Sequence, residues 1–424
     1  MPLYACRGES AGASPLDSSR QDVSRGAEGR GAIMTLTSRA ATLMREDARH
    51  YRALTGIRGW AALWVFLYHA WVFATPRQIT VELGDFVLNL TPFLSVGGAG
   101  VSIFFVLSGF LLGLPFAEWQ AGLRGRPALG RYLFRRVARV FPAYYAQLAI
   151  LLIVAYVSGG PGISDGPAFL RHLLMLFMLP PLGTQALNGV WWTLPIEFSF
   201  YLVLPVLAFL LRPARWWMLL AGGLILMVTW RRYAVIWLAD ASIPERLLLS
   251  YQLPGSMDTF ALGMLSALLY VNRERVPAWI LPPAASGRMA WLALVLVVAA
   301  IYWLHADGAQ YWAVNPIFFL WTPALSLAIA ALILSGARED RLVVTLFGNR
   351  FMVFAGLCSY SVYLWHVPLL SWISNTQIFQ TMQGYRLPWL LLVSLPLTLA
   401  VASLSYVLVE RPFIRMQRTD RKPS

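Results

Sequence analysis

The chain has 424 residues, 58% of them hydrophobic and 13% charged, with a formal net charge of +14. A soluble domain carries about 25% charged residues, so this chain lacks the polar surface to face water on all sides, and a soluble globular protein is excluded. Its positive charge is spread between apolar runs and forms no basic domain. That pattern argues against a nucleic-acid partner and for the positive-inside rule of membrane proteins.

Residues 1–50 are rich in Ser, Gly, Ala and Arg and read as a disordered tail, with Met34 and Met44 as alternative starts. A bilayer core of about 30 Å needs about 20 apolar residues per helix. Ten such runs are predicted, at 57–75, 94–116, 138–158, 190–211, 216–237, 253–271, 289–305, 316–335, 351–373 and 388–409. The apolar stretch 168–182 is too short to span and reads as interfacial or re-entrant. With the N-terminus inside, inside segments hold 26 Lys and Arg residues and outside segments hold 4. The expected fold is therefore all-α: a polytopic membrane helix bundle of about ten transmembrane helices, both termini cytoplasmic, in the inner membrane.

Ionisable residues inside a span cost roughly 2.5–3.5 kcal/mol each and are functional candidates. Arg58 and His69 come first, 11 residues apart, close to three helical turns. Both therefore lie on one face of the first helix, about 16 Å apart along its axis. Arg58 suits an anionic donor head or a topological anchor. His69 suits a general base or a buried hydrogen bond. Ser108 opens towards a ligand or bonds its own helix. Arg136 and Arg139, at i and i+3, form either a phosphate clamp or a stop signal. Glu197 must be paired, protonated or wet. Asp258 follows a break at Pro254-Gly255-Ser256, and His366 lies in Tyr363-Leu-Trp-His366-Val-Pro368. Glu410, ending the last run, reads as pairing with a local Arg. The two cysteines, Cys6 and Cys358, make no disulfide framework, and no metal site is expected.

These segments resemble, in order, the signatures of the acyltransferase-3 family across residues 53–413. The carriers are Leu54-Thr-Gly-Ile-Arg58-Gly-Trp with His69, Gly100-Val-Ser-Ile-Phe-Phe-Val-Leu-Ser108-Gly109-Phe-Leu, and Arg136-Val-Ala-Arg139. Trp192-Thr-Leu-Pro-Ile-Glu197-Phe-Ser-Phe-Tyr, Tyr360-Ser-Val-Tyr-Leu-Trp-His366 and Val409-Glu410-Arg411-Pro412 complete the series. Ser102 stands where the resemblance leads one to expect an acid. The resemblance implies a membrane domain over 51–413 and a basic cytoplasmic tail over 414–424. It implies transfer of an acyl group, acetyl first, from cytoplasmic acyl-CoA to a hydroxyl of a carbohydrate, lipid-linked glycan or small molecule. No cofactor is held; acyl-CoA is a co-substrate, and membrane lipids surround the chain. His69 is implied as the base, with Arg58, Arg136 and Arg139 on the donor. Ser108, Glu197, His366 and Asp258 are the remaining substrate-site candidates, with Ser108 or a backbone N–H near Gly109 as oxyanion donor. The rival reading is a proton-coupled transporter or flippase relaying protons through Glu197, Asp258 and His366.

Overall fold

The computed structural model describes residues 51–75, 78–160, 162–163, 165–177, 186–382 and 384–419. The predicted tail 1–50, and residues 420–424, lie outside the described residues. The architecture is a helix bundle, as predicted. Its main helices are α1 (Arg52–Ala74), α2 (Gly100–Gln120), α3 (Leu129–Ser158), α4 (Thr193–Leu207), α5 (Trp216–Trp237), α6 (Met257–Val271), α7 (Arg288–Ala306), α8 (Ile317–Ala337), α9 (Arg350–Leu357), α10 (Ser359–Ser374) and α11 (Arg386–Ser405). One hairpin interrupts the pattern, β1 (Thr80–Leu83) against β2 (Phe86–Asn89), turned by Gly84 at φ 63°.

Every predicted span falls on helix, but they are not ten equal spans. Among the described residues, seven coincide with helices long and apolar enough to cross a membrane. The ninth is two helices, α9 and α10, bent by 77°, which makes eight if the pair counts as one span. In α1 the three polar groups Arg52, Arg58 and His69 lower the hydropathy below that of the seven, and α6 has only 15 residues. The segment read as interfacial forms the short helix Gly166–Leu173, while residues 178–182 lie outside the described residues. The final helix Arg411–Thr419 runs through the predicted boundary at 413, continuing without a break from α11 through the turn Tyr406–Glu410.

Burial separates the centre from the rim. The apolar windows of the segments carrying α2 and α8 are each 67% buried in protein, against 22% for the segment carrying α11. Membrane helices approach closely only where side chains are small. A Cβ on Gly56 would fall 1.7 Å from the carbonyl oxygen of Phe347, and one on Gly356 would fall 1.8 Å from that of Thr55. Glycine there lets α1 lie directly against α9 and against the short helix Arg341–Phe347 that precedes it. Gly109 and Gly263 do the same between α2 and α6. Arg231 of α5 is fully buried and donates to the carbonyls of Gly255 and Phe318 and to Thr322 Oγ1, at 2.9, 2.8 and 3.1 Å. It satisfies a carbonyl in the break before α6 and another in the first turn of α8, where lipid would supply no partner.

Candidate active site

Two cavities share a wall inside the bundle. The first, about 110 Å³, is lined by Arg58 of α1, Ser108 of α2, Arg136 and Arg139 of α3, and Glu197 of α4. The second, about 300 Å³, is lined by His69 and by the rings of Tyr68, Trp192, Tyr251, Tyr311, Trp312 and Trp321. Val101, Phe105 and Tyr363 line both.

In the arginine cavity the charges are arranged unequally. The helix of α3 begins at Leu129, earlier than the predicted span, so Arg136 and Arg139 sit one turn apart on one face. Arg139 lies 3.4 Å from Glu410, which is buried and accepts a 2.5 Å hydrogen bond from Ser361. Glu410 ends a π-helical turn, Tyr406–Glu410, and its partner Arg139 is on another helix, a pairing that sequence alone did not name. Arg58 and Arg136 form no ion pair among the described residues. The guanidinium of Arg136 rests over the Tyr201 ring at 5.9 Å. Three guanidinium groups thus line the cavity with one carboxylate, Glu197, while Glu410 meets Arg139, leaving an excess of positive charge suited to phosphate.

Ser108 Oγ–H donates to Glu197 Oε1 at 2.6 Å. Its proton is committed, and Gly109 is packed against the backbone of α6. Neither residue is placed as the oxyanion donor that sequence reasoning suggested; Ser108 instead holds the Glu197 carboxylate.

The histidine cavity is different in chemistry. Ser102, at the position where an acid was expected, is part of its lining, and among the described residues no Asp, Glu, Lys or Arg joins it there. His69 Nδ1 lies 2.9 Å from the Val65 carbonyl and 3.1 Å from His366 Nε2. His366 lines neither cavity; it is buried behind His69. Pro368 fixes this part of α10. Lacking an N–H, it leaves the carbonyl of Leu364 without its helical donor. Gln147 Nε2 and Asn188 Nδ2 donate to that oxygen instead, at 2.6 and 2.9 Å. Tyr363 O–H donates to Val190 O at 2.7 Å and accepts from Thr193 at 2.9 Å, which holds the dividing ring in place.

Asp258 is fully buried and lines neither cavity; its hydrogen-bond neighbour Thr259 does. The helix break places the carboxylate behind the wall and the threonine in it. Arg58 and His69 therefore share a helix, as the spacing predicted, but open into separate cavities. Sequence reasoning missed the aromatic lining, because Trp and Tyr near span ends read as interfacial anchors. Among the described residues no cluster of His, Cys, Asp and Glu could hold a metal ion.

The acyltransferase domain model matches residues 51–407, most of the chain. The chain belongs to the acyltransferase-3 family. It is an enzyme, a transferase of acyl groups. This acyltransferase is 25% identical over 386 residues to nodulation protein 10 of Rhizobium leguminosarum bv. viciae, covering 85% of this chain and 92% of the relative. It is 26% identical over 389 residues to acyltransferase MdmB of Streptomyces mycarofaciens, covering 86% and 92%. It is 23% identical over 333 residues to the exopolysaccharide production protein ExoZ of Rhizobium meliloti (strain 1021), covering 77% and 92%. No solved structure matches it.

Proposed function

We propose that this acyltransferase moves an acyl group from acyl-CoA, held in the arginine cavity, to a hydroxyl presented in the histidine cavity. One observation carries the reading: the two cavities meet at Val101, Phe105 and Tyr363, with the cationic groups on one side and His69 on the other. The basic stretch holding Arg124, Arg126 and, at the start of α3, Arg131 precedes Arg136 and Arg139 in sequence. By the positive-inside rule that stretch is cytoplasmic, which is where acyl-CoA is found.

The proposed step balances without a metal. His69 Nε2 takes the proton of the acceptor hydroxyl as its oxygen attacks the thioester carbonyl carbon. The carbon–sulfur bond breaks, and the departing thiolate recovers the proton from His69. The products are an ester and free coenzyme A thiol. Arg58 and Arg136 hold donor phosphates, for which a planar guanidinium fork is suited. An acceptor from the carbohydrate, lipid-linked glycan or small-molecule classes fits a cavity with no charged lining, and acetyl is the first acyl group to test.

The experiment is thiol release from acetyl-CoA by the purified full chain in bilayer discs, supplied with an envelope extract as acceptor source. Arg58→Ala and Arg136→Ala should each raise KM for acetyl-CoA by about 10-fold or more, as loss of a charge-assisted contact worth about 1.5–3 kcal/mol implies. Lys at either position should recover only part of the loss, because an ammonium lacks the fork. Unchanged donor affinity in both variants, with normal insertion, would reduce the arginines to topology signals.

A further inference from the structure

We infer that His366 is the positioning residue for His69: it accepts the Nδ1 proton of His69 and thereby fixes Nε2 as the basic nitrogen. The inference rests on the reading of His69 as the base and adds the tautomer and its cause.

The assignment follows from which atoms have protons to give. Val65 O lies 2.9 Å from His69 Nδ1. A carbonyl oxygen can only accept, so the proton belongs to Nδ1. Tyr363 O lies 2.8 Å from His366 Nδ1, which by the same reasoning is also protonated. A neutral His366 then has its lone pair on Nε2, 3.1 Å from His69 Nδ1. The Nδ1–H of His69 is shared between two acceptors, Val65 O and His366 Nε2. A doubly protonated His366 fails twice. It would turn one N–H against another, and it would bury a cation that is 1% exposed and forms no ion pair among the described residues.

The surroundings keep the pair in register. Leu364, two residues before His366, is tied through its carbonyl to α3 and to the turn before α4. The ring of Tyr68 stands edge-on to His69 at 4.9 Å, and Phe66 lies 6.5 Å from His366. Which nitrogen of a histidine reacts is set by the hydrogen bond made by the other. When Nε2 takes a proton, the charge on His69 is met at Nδ1–H by both acceptors. With His366 removed, Val65 O alone remains, and the ring loses its partner on the neighbouring helix.

The test uses the full chain labelled with 15N-histidine in lipid bilayers, without donor or acceptor, so it stands apart from the activity assay. The His69 signals, assigned by their loss in His69→Asn, should show a protonated Nδ1, a bare Nε2, and 15N–15N transfer to His366 Nε2. A protonated Nε2 on His69, or no transfer between the rings, overturns the inference. His366→Leu should lower kcat at least about 10-fold with KM for acetyl-CoA unchanged, since a base held in the wrong tautomer has lost up to about 10⁴-fold elsewhere. His366→Gln, which can place an acceptor oxygen near the lost Nε2, should recover much of that rate. Full kcat in His366→Leu, or an equal loss in the Gln variant with the fold intact, would contradict a positioning role.

Discussion

His69→Ala is expected to reduce turnover by at least about 10²-fold, the low end for loss of a general base, while acetyl-CoA binding stays within about twofold. The separation follows from geometry. His69 lines the aromatic cavity, and Arg58, Arg136 and Arg139 line the other one. A hydroxyl near neutral pH is a poor nucleophile until a base accepts its proton in the transition state. Removing the imidazole removes that acceptor and leaves the donor side untouched. Arg58→Ala should show the converse, weaker donor binding with a smaller change in kcat. Titration of acetyl-CoA into each purified variant, alongside thiol release, checks both halves. Near-normal turnover in folded His69→Ala would remove His69 as the base and leave the family assignment standing. His366→Ala is not an independent control for a buried histidine, because its ring lies 3.1 Å from His69.

Arg139→Leu is expected to destabilise the protein by about 3–5 kcal/mol, the cost of stranding one member of a buried ion pair. Glu410 is 1% exposed, and Arg139 is its only ion-pair partner among the described residues. Without Arg139 the carboxylate must be protonated or remain unpaired in a medium that cannot solvate it. Adding Glu410→Gln to Arg139→Leu removes the stranded charge and should restore most of the thermal stability, with Ser361 still able to donate to the amide oxygen. Thermal unfolding of the single and double variants in the same discs measures the coupling. Additive losses would mean that the pair contributes nothing beyond its separate packing. The same logic separates Arg139 from Arg136. Both line the donor cavity, but only Arg139 is committed to an internal carboxylate, so a donor-binding defect is read more cleanly at Arg136.

The helices were readable because a bilayer demands long apolar runs and marks their ends with Arg. Arg58, Arg139 and Glu197 of the arginine cavity were readable for the related reason that charge is costly in such a run, and Arg136 and Ser108 by their place in the resembling segments. Arg58, Ser108, Arg136, Arg139 and Glu197 come from four helices and line one cavity. Pattern reading failed where an answer depended on distant packing. Glu410 sits at the end of the last predicted run, and its pairing with Arg139 of α3 spans a distance in sequence that no local pattern shows. The spacing of Arg58 and His69 placed them on one face, and their separation of about 16 Å along that face is the reason they open into different cavities. Asp258 follows a helix break that leaves it behind the wall and Thr259 in it. The rings of the histidine cavity were hidden by abundance. In a chain with 18 Trp and 17 Tyr residues, no single ring stands out until the fold brings seven of them to the cavity of His69.

The central claim is that the acyl group passes between the two cavities, from a donor on the arginine side to an acceptor on the histidine side. Sealed inverted membrane vesicles containing the full chain test it most directly. Acetyl-CoA labelled in its acetyl group is offered outside, at the original cytoplasmic face, with envelope acceptors trapped in the lumen. The account predicts free thiol outside and labelled ester inside, protected from added esterase until detergent opens the vesicles. Labelled ester that the esterase removes from intact vesicles, with none protected, would contradict transfer between the two cavities.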